Sequence, residues 1–204
     1  MSVAAESTET LLAGLESSLA RADRADTARL VSATVEIEPE IDPAAIAAGS
    51  RFAADRWFSW EQPDRDFALA GLGTAIQVIS RGENRFRDLA ERCAHAMHDR
   101  VSEEPGELPA GAGPVWSTGL AFGPRGGSEP LWSSLPPALA VMPEVAIART
   151  DGRAFLTASV PHGPGAQTET VLDRVTARIG SLRTGGPLSG LARVRRVVMR
   201  FAWS

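Results

Sequence analysis

Two apolar runs, residues 138–149 and 153–160, are separated only by Thr150, Asp151 and Gly152, and that spacing constrains the fold more than any other feature of the chain. A turn that short sends the chain straight back along itself, so the two runs pair as an antiparallel hairpin. A second pair of runs, 56–60 and 67–79, flanks Glu61, Gln62, Pro63 and Asp64, a polar stretch whose proline favours a turn. Residues 115–122 read as a further strand. Residues 30–37 alternate, with Val31, Ala33, Val35 and Ile37 on one side and Ser32, Thr34 and Glu36 on the other, the pattern of a half-buried strand.

Helical spacing interrupts these runs. Leu11, Leu12, Leu15 and Leu19 form one stripe within residues 8–22, with Ser7 placed as N-cap. Phe86, Leu89, Ala90, Cys93, Ala94, Met97 and Val101 form the clearest amphipathic stripe, within 83–100, and Val171, Leu172, Val175, Ile179 and Leu182 form another within 169–182. Asp42 followed by Pro43 opens a brief helix closed by Gly49. Residues 102–113, rich in Glu, Pro and Gly, read as a loop. Helices interleaved with antiparallel hairpins predict an α+β fold, not a doubly wound parallel sheet.

Composition narrows the chemistry. The chain has 204 residues, and all of its 21 basic residues are arginine. Without lysine there is no amine for a Schiff base or a general base, because a guanidinium keeps its proton at working pH. Tyrosine is also missing, which leaves Cys93, three histidines, the acids and the hydroxyls. A net charge of -4 and a pI near 5.5 give no electrostatic footprint for nucleic acid or an anionic membrane. A single cysteine forms no internal disulfide, no apolar run approaches the roughly 20 residues of a membrane span, and no signal-like segment opens the chain, so a cytoplasmic protein is expected.

Four local patterns invite functional readings. Gly71-Leu72-Gly73 lacks the third glycine of a dinucleotide loop, since Ile76 stands there, and the run that follows is β-branched; close packing or a bulge in a strand explains these glycines better. Glu91, His95 and His98 could meet a metal but lie opposite the apolar stripe, on a face expected to be solvated, while Cys93 belongs to the stripe as a small hydrophobe. Tryptophans 57, 60, 116, 132 and 203 could stack on a ligand ring, yet burial in core or interdomain packing is expected. Arg193, Arg195, Arg196 and Arg200 are interleaved with Val194, Val197, Val198, Met199 and Phe201, an amphipathic terminal segment and not a nucleic-acid arm.

Residues 51–75, with Trp57-Phe58-Ser59-Trp60-Glu61-Gln62-Pro63 followed by an apolar strand ending in Gly71-Leu72-Gly73, resemble the N-terminal region of isochorismate synthases in the chorismate-utilising family. In the same order follow Phe86-Arg87-Asp88-Leu89, Thr118-Gly119-Leu120-Ala121-Phe122, Pro130-Leu131-Trp132, Leu135-Pro136-Pro137, Met142-Pro143-Glu144 and Asp151-Gly152. Anthranilate and aminodeoxychorismate synthase large subunits share the architecture but carry a Leu-Leu-Glu-Ser type element that this region lacks. The resemblance implies stacked antiparallel sheets with outer helices. It divides the chain into an N-terminal helix and linker (1–28), a domain similar to isochorismate synthase (29–185) and a departing tail (186–204).

The resemblance also implies that family chemistry sits in a C-terminal catalytic half not represented here. There a lysine acts as base on water, a glutamate protonates the leaving hydroxyl, and further glutamates hold Mg²⁺. None of these roles maps onto a residue of this chain, so no catalytic, cofactor-binding or metal residue is assigned; Arg195 to Arg200 echo the Lys-Val-Val-Leu-Ala-Arg strand only distantly. The expected function is the scaffold portion of an enzyme converting chorismate to isochorismate, for menaquinone or for siderophore and salicylate pathways, inactive alone and partnered by the catalytic half or a separate catalytic subunit. The alternatives are a small-metabolite-binding or regulatory module, or part of an anthranilate or aminodeoxychorismate synthase. A fragment, a split or frameshifted gene, and one subunit of a two-chain enzyme fit the composition equally.

Overall fold

The computed structural model describes residues 5–24, 29–123 and 135–183. It has the expected α+β class: a six-stranded sheet with three helices on one face and a three-stranded sheet with one helix. The strands are β1 (Arg29–Ile37), β2 (Trp57–Gln62), β3 (Phe67–Leu72), β4 (Ile76–Ser80), β5 (Val101–Glu103), β6 (Ser117–Leu120), β7 (Ala138–Met142), β8 (Val145–Thr150) and β9 (Arg153–His162). The helices are α1 (Ala5–Ala22), α2 (Pro43–Ser50), α3 (Arg85–His98) and α4 (Thr168–Gly180). The large sheet runs β2-β3-β8-β9-β1-β5 and the small one β4-β7-β6.

Both predicted hairpins form. Thr150 pairs with Arg153 across Asp151 (φ 53°) and Gly152 (φ 70°), the left-handed pair that a two-residue turn requires. β2 and β3 pair from Trp57 with Leu72 to Gln62 with Phe67, joined by a 3-10 turn at Pro63–Arg65.

Two apolar runs read as single strands are in fact broken, and the breaks face each other. The run 67–79 divides at Gly73 (φ 73°) into β3 of the large sheet and β4 of the small one. The run 138–149 divides at Pro143 and Glu144 into β7 and β8, again one strand in each sheet. Leu72 pairs with Val145, the Ala75 N–H donates to Met142 O at 2.9 Å, and Ile76 pairs with Met142, so one antiparallel ladder turns the corner between sheets. A proline without an N–H and a glycine in a conformation costly to other residues make that corner.

The main core lies between α1, α2 and α4 and one face of the large sheet. Leu11, Leu15 and Leu19 of α1 pack with Val31, Ala33, Val35, Leu156, Val160, Val175 and Ile179. β1 is buried on both faces, not half-buried, and on its polar face the hydroxyls of Thr34 and Thr157 satisfy each other across β1 and β9 at 3.1 Å. Val101, which the helical stripe included, and Ser102 and Glu103, which read as the start of a loop, form a short parallel strand beside β1. Ser7 lies inside α1 instead of capping it, and α2 runs past Gly49 to Ser50; Asp42 caps α2 as expected, accepting from the Ala45 N–H at 3.0 Å.

Against the small sheet, α3 buries less than its stripe predicts. Leu89 and Cys93 reach Val78, Ala138 and Ala140, whereas Phe86, Ala90 and Ala94 are exposed. A three-stranded sheet offers a narrow platform, and part of it is taken by buried Arg85, whose guanidinium donates to the carbonyls of Gly82, Ala121 and Phe122. No helix among the described residues is long and apolar enough to cross a membrane.

Candidate functional site

The corner between the sheets opens into a cleft of about 350 Å³ lined by Asp55, Arg56, Trp57, Phe58, Gly73, Ser117, Leu139, Val141 and Pro143. β2 contributes its aromatic residues because it is the outermost strand of the large sheet; β7 contributes Leu139 and Val141 because these point away from α3. Phe58 lies across Gly71, where a Cβ would overlap its ring, which is the close packing expected of the Gly-Leu-Gly element. That element forms no phosphate loop: Gly71 and Leu72 end a strand, and β4 follows.

The burial expected for the tryptophans is wrong at β2. Trp57 is 43% exposed and Trp60 60% exposed, because no strand pairs with the outer edge of β2 among the described residues. Trp116 packs partly buried against the α3 core. Trp132, Trp203, the arginines at 193, 195, 196 and 200, and the tail 186–204 lie outside the described residues.

Asp55 organises the cleft's rim. Its carboxylate accepts the Arg178 guanidinium from α4 at 2.6 Å and the Phe52 N–H at 2.7 Å, and the same guanidinium lies 4.8 Å from the Phe52 ring centroid. Both members of the ion pair are shielded, with side chains 6% and 15% exposed. Asp55 is thus held in a structural pair, and among the described residues the cleft offers no carboxylate free to move a proton. An apolar wall, two aromatic rings and Arg56 suit binding, not bond making.

A second groove of about 360 Å³ runs between α1 and the end of β5, with Glu6, Thr10, Thr34, Glu36, Glu103 and Glu104 on its walls. Its carboxylates are largely engaged: Glu36 takes a bidentate grip from Arg153 at 2.7 and 2.8 Å, Arg21 lies 3.3 Å from Glu103, and Arg100 lies 3.8 Å from Glu104. Glu91, His95 and His98 are all exposed on α3, as a solvated face requires, and among the described residues His95 pairs with Asp99, at 3.5 Å. His95→Ala and His98→Ala are each expected to change stability by less than about 0.5 kcal/mol; a metal-dependent melting shift lost in either variant would contradict this. Burial pushes the Cys93 thiol above its ordinary range, which leaves little thiolate for nucleophilic chemistry. Among the described residues, no group of three or more His, Cys, Asp or Glu side chains gathers to hold a metal.

The third histidine makes a contact that the sequence did not signal. His162, buried at the end of β9, donates from Nε2 to Asp23 Oδ1 at 2.6 Å, and Thr168 at the start of α4 donates to the other oxygen at 3.1 Å. Three elements distant in sequence meet on one carboxylate. The hydrogen bonds from His162 and Thr168 hold Asp23 below its ordinary 3.8, and the Arg153 grip holds Glu36 below its ordinary 4.5. A carboxylate depressed in the folded state adds stability that is complete above its unfolded pKa and lost as pH falls through the folded one. Melting temperature is therefore expected to fall below about pH 4, and Asp23→Asn and Glu36→Gln should each flatten that fall. An unchanged acid limb in both variants would show that these bonds do not act.

The two sheets, joined at a corner and carrying their helices outside, define an α+β fold, and comparison with known families is specific about which. Residues 17–193 match the model of the family described as chorismate binding enzyme, and the chain belongs to that family. Among solved structures it is similar to MenF, the menaquinone-specific isochorismate synthase from Escherichia coli, at 17% identity and a TM-score of 0.48, over 87% of this chain and 35% of that one. The chain thus spans about a third of the length of that relative. No curated protein matches it in sequence.

Proposed function

We propose that this chain is the N-terminal scaffold portion of an isochorismate synthase, with the groups that convert chorismate to isochorismate supplied by a C-terminal catalytic half or a separate catalytic subunit. What carries the reading is membership of the chorismate-binding family across residues 17–193 in a chain with no lysine to act as base. The described residues do not fit the Mg²⁺ that the family resemblance implies, since the clustered carboxylates are largely bonded to arginines, and no step is assigned to the ion here. The open face of the small sheet supports a docked partner: Ile79, Leu139 and Val141 are half-exposed there, on the side away from α3.

A second reading rests on the corner cleft. Trp57, Phe58 and Arg56 could hold a planar anionic metabolite, making the chain a binding or regulatory module. Tryptophan emission titrated with chorismate and with aromatic amino acids separates the two. The scaffold reading predicts no saturable change with either ligand, and hydrophobic-dye binding that falls when a catalytic half is added. A saturable change lost in Trp57→Ala would replace the scaffold reading with the binding module.

A further inference from the structure

The outer edge of β2 has the features of a self-pairing strand. β2 is the terminal strand of the large sheet, and its register with β3 is continuous over all six residues, with no bulge to twist the free edge away. Natural edges are commonly blunted by proline or by charged side chains, and Trp57-Phe58-Ser59-Trp60-Glu61-Gln62 contains no proline and a single charge, Glu61. The backbone direction is also settled. The Gly73 N–H donates to Arg56 O at 2.9 Å, so even-numbered residues of β2 turn their polar backbone groups toward β3. Trp57, Ser59 and Glu61 therefore turn theirs outward.

We infer that this edge pairs with the same edge of a second copy, antiparallel about a two-fold axis through Ser59, making one continuous sheet from two chains. A two-fold axis normal to the sheet keeps each face on its own side, so residues that meet across it must share a face and hence a parity. Centring the axis on Ser59 satisfies this and joins the outward groups: Ser59 meets the partner's Ser59, and Trp57 meets the partner's Glu61. On the opposite face Phe58 meets the partner's Trp60 in a non-hydrogen-bonded pair, where side chains approach most closely and aromatic pairs are favourable. Trp60 is the most exposed indole among the described residues, at 60%.

Charge complementarity selects this occupant. The Arg51 guanidinium lies 5.0 Å from the Trp57 ring centroid, on the face to which the register brings the partner's Glu61. Neither Arg51 nor Glu61 makes a salt bridge among the described residues. Pairing about Ser59 lets each Arg51 meet the Glu61 of the other copy, twice by symmetry. The inference does not depend on the scaffold reading, which concerns the face of the small sheet.

Sedimentation velocity on the full chain over a concentration series tests it. A discrete monomer–dimer equilibrium is expected. Ser59→Pro removes an outward N–H without touching the β3 ladder and should abolish the dimer, with far-ultraviolet circular dichroism confirming the fold. Glu61→Arg turns two attractions into repulsions and should weaken dimerisation by about tenfold or more, while Arg51→Glu combined with Glu61→Arg should restore most of the loss. These are exposed positions, so the charge swap decides the matter even if Ser59→Pro misfolds. A monomer at every concentration, open-ended aggregates, a dimer indifferent to the charge swap, or a monomer whose Ser59 amide is protected from hydrogen exchange because its own chain covers the edge would each overturn the inference.

Discussion

Incubated with chorismate and Mg²⁺, the chain alone is expected to consume no substrate above the uncatalysed rate. Moving a hydroxyl on chorismate requires a base to activate water and an acid to protonate the departing oxygen, each within hydrogen-bond reach of a shared pocket. The candidates fail one by one. There is no lysine and no tyrosine. His162 is buried against Asp23, and His95 and His98 are exposed on α3. In the corner cleft the carboxylate of Asp55 is bonded to Arg178. Turnover followed through a coupled assay, persisting in His95→Ala and His98→Ala, would mean that a catalytic arrangement exists elsewhere in the chain.

Asp55→Ala is expected to be among the most damaging single substitutions, at about 3 kcal/mol, because it strands the Arg178 guanidinium in a shielded site. The pair joins the last turn of α4 to the segment that leads into β2, and Arg178 already leaves Nε and one terminal nitrogen without a partner among the described residues. Asp55 also holds the Phe52 N–H, so its loss frees the approach to the aromatic strand. Urea denaturation should show a lower midpoint, with Asp55→Asn retaining part of the hydrogen bonding and falling between the two. A shift within about 0.5 kcal/mol would place this pair among ordinary surface contacts.

The local elements were largely legible because their signals are local. Asp151-Gly152 can hardly avoid a tight turn, Asp42-Pro43 starts a helix, and Leu11, Leu15 and Leu19 share a face at any helical pitch. The division into two sheets was not legible, because apolar alternation runs unbroken through 67–79 and 138–149 and says nothing about which partner each half will find. The marks were there in Gly73 and Pro143, but a glycine or proline inside an apolar run reads equally as a bulge, and only their meeting across the ladder makes a corner. Indole burial was misjudged for the same reason: exposure of Trp57 and Trp60 depends on the position of β2 at the end of the sheet order, a tertiary fact. The ties Asp55–Arg178 and Asp23–His162 span 123 and 139 residues and carry no sequence motif.

Reconstitution bears most directly on the central claim that this chain is a scaffold completed by catalytic groups from elsewhere. The chain is mixed with a separately produced C-terminal half of an isochorismate synthase, and isochorismate formation is followed with Mg²⁺ present. The scaffold account predicts formation in the mixture well above the sum of the separate components, accompanied by loss of hydrophobic-dye signal as the small sheet is covered. Formation by this chain alone, or a rate in the mixture equal to that of the catalytic half by itself with the dye signal unchanged, would contradict it.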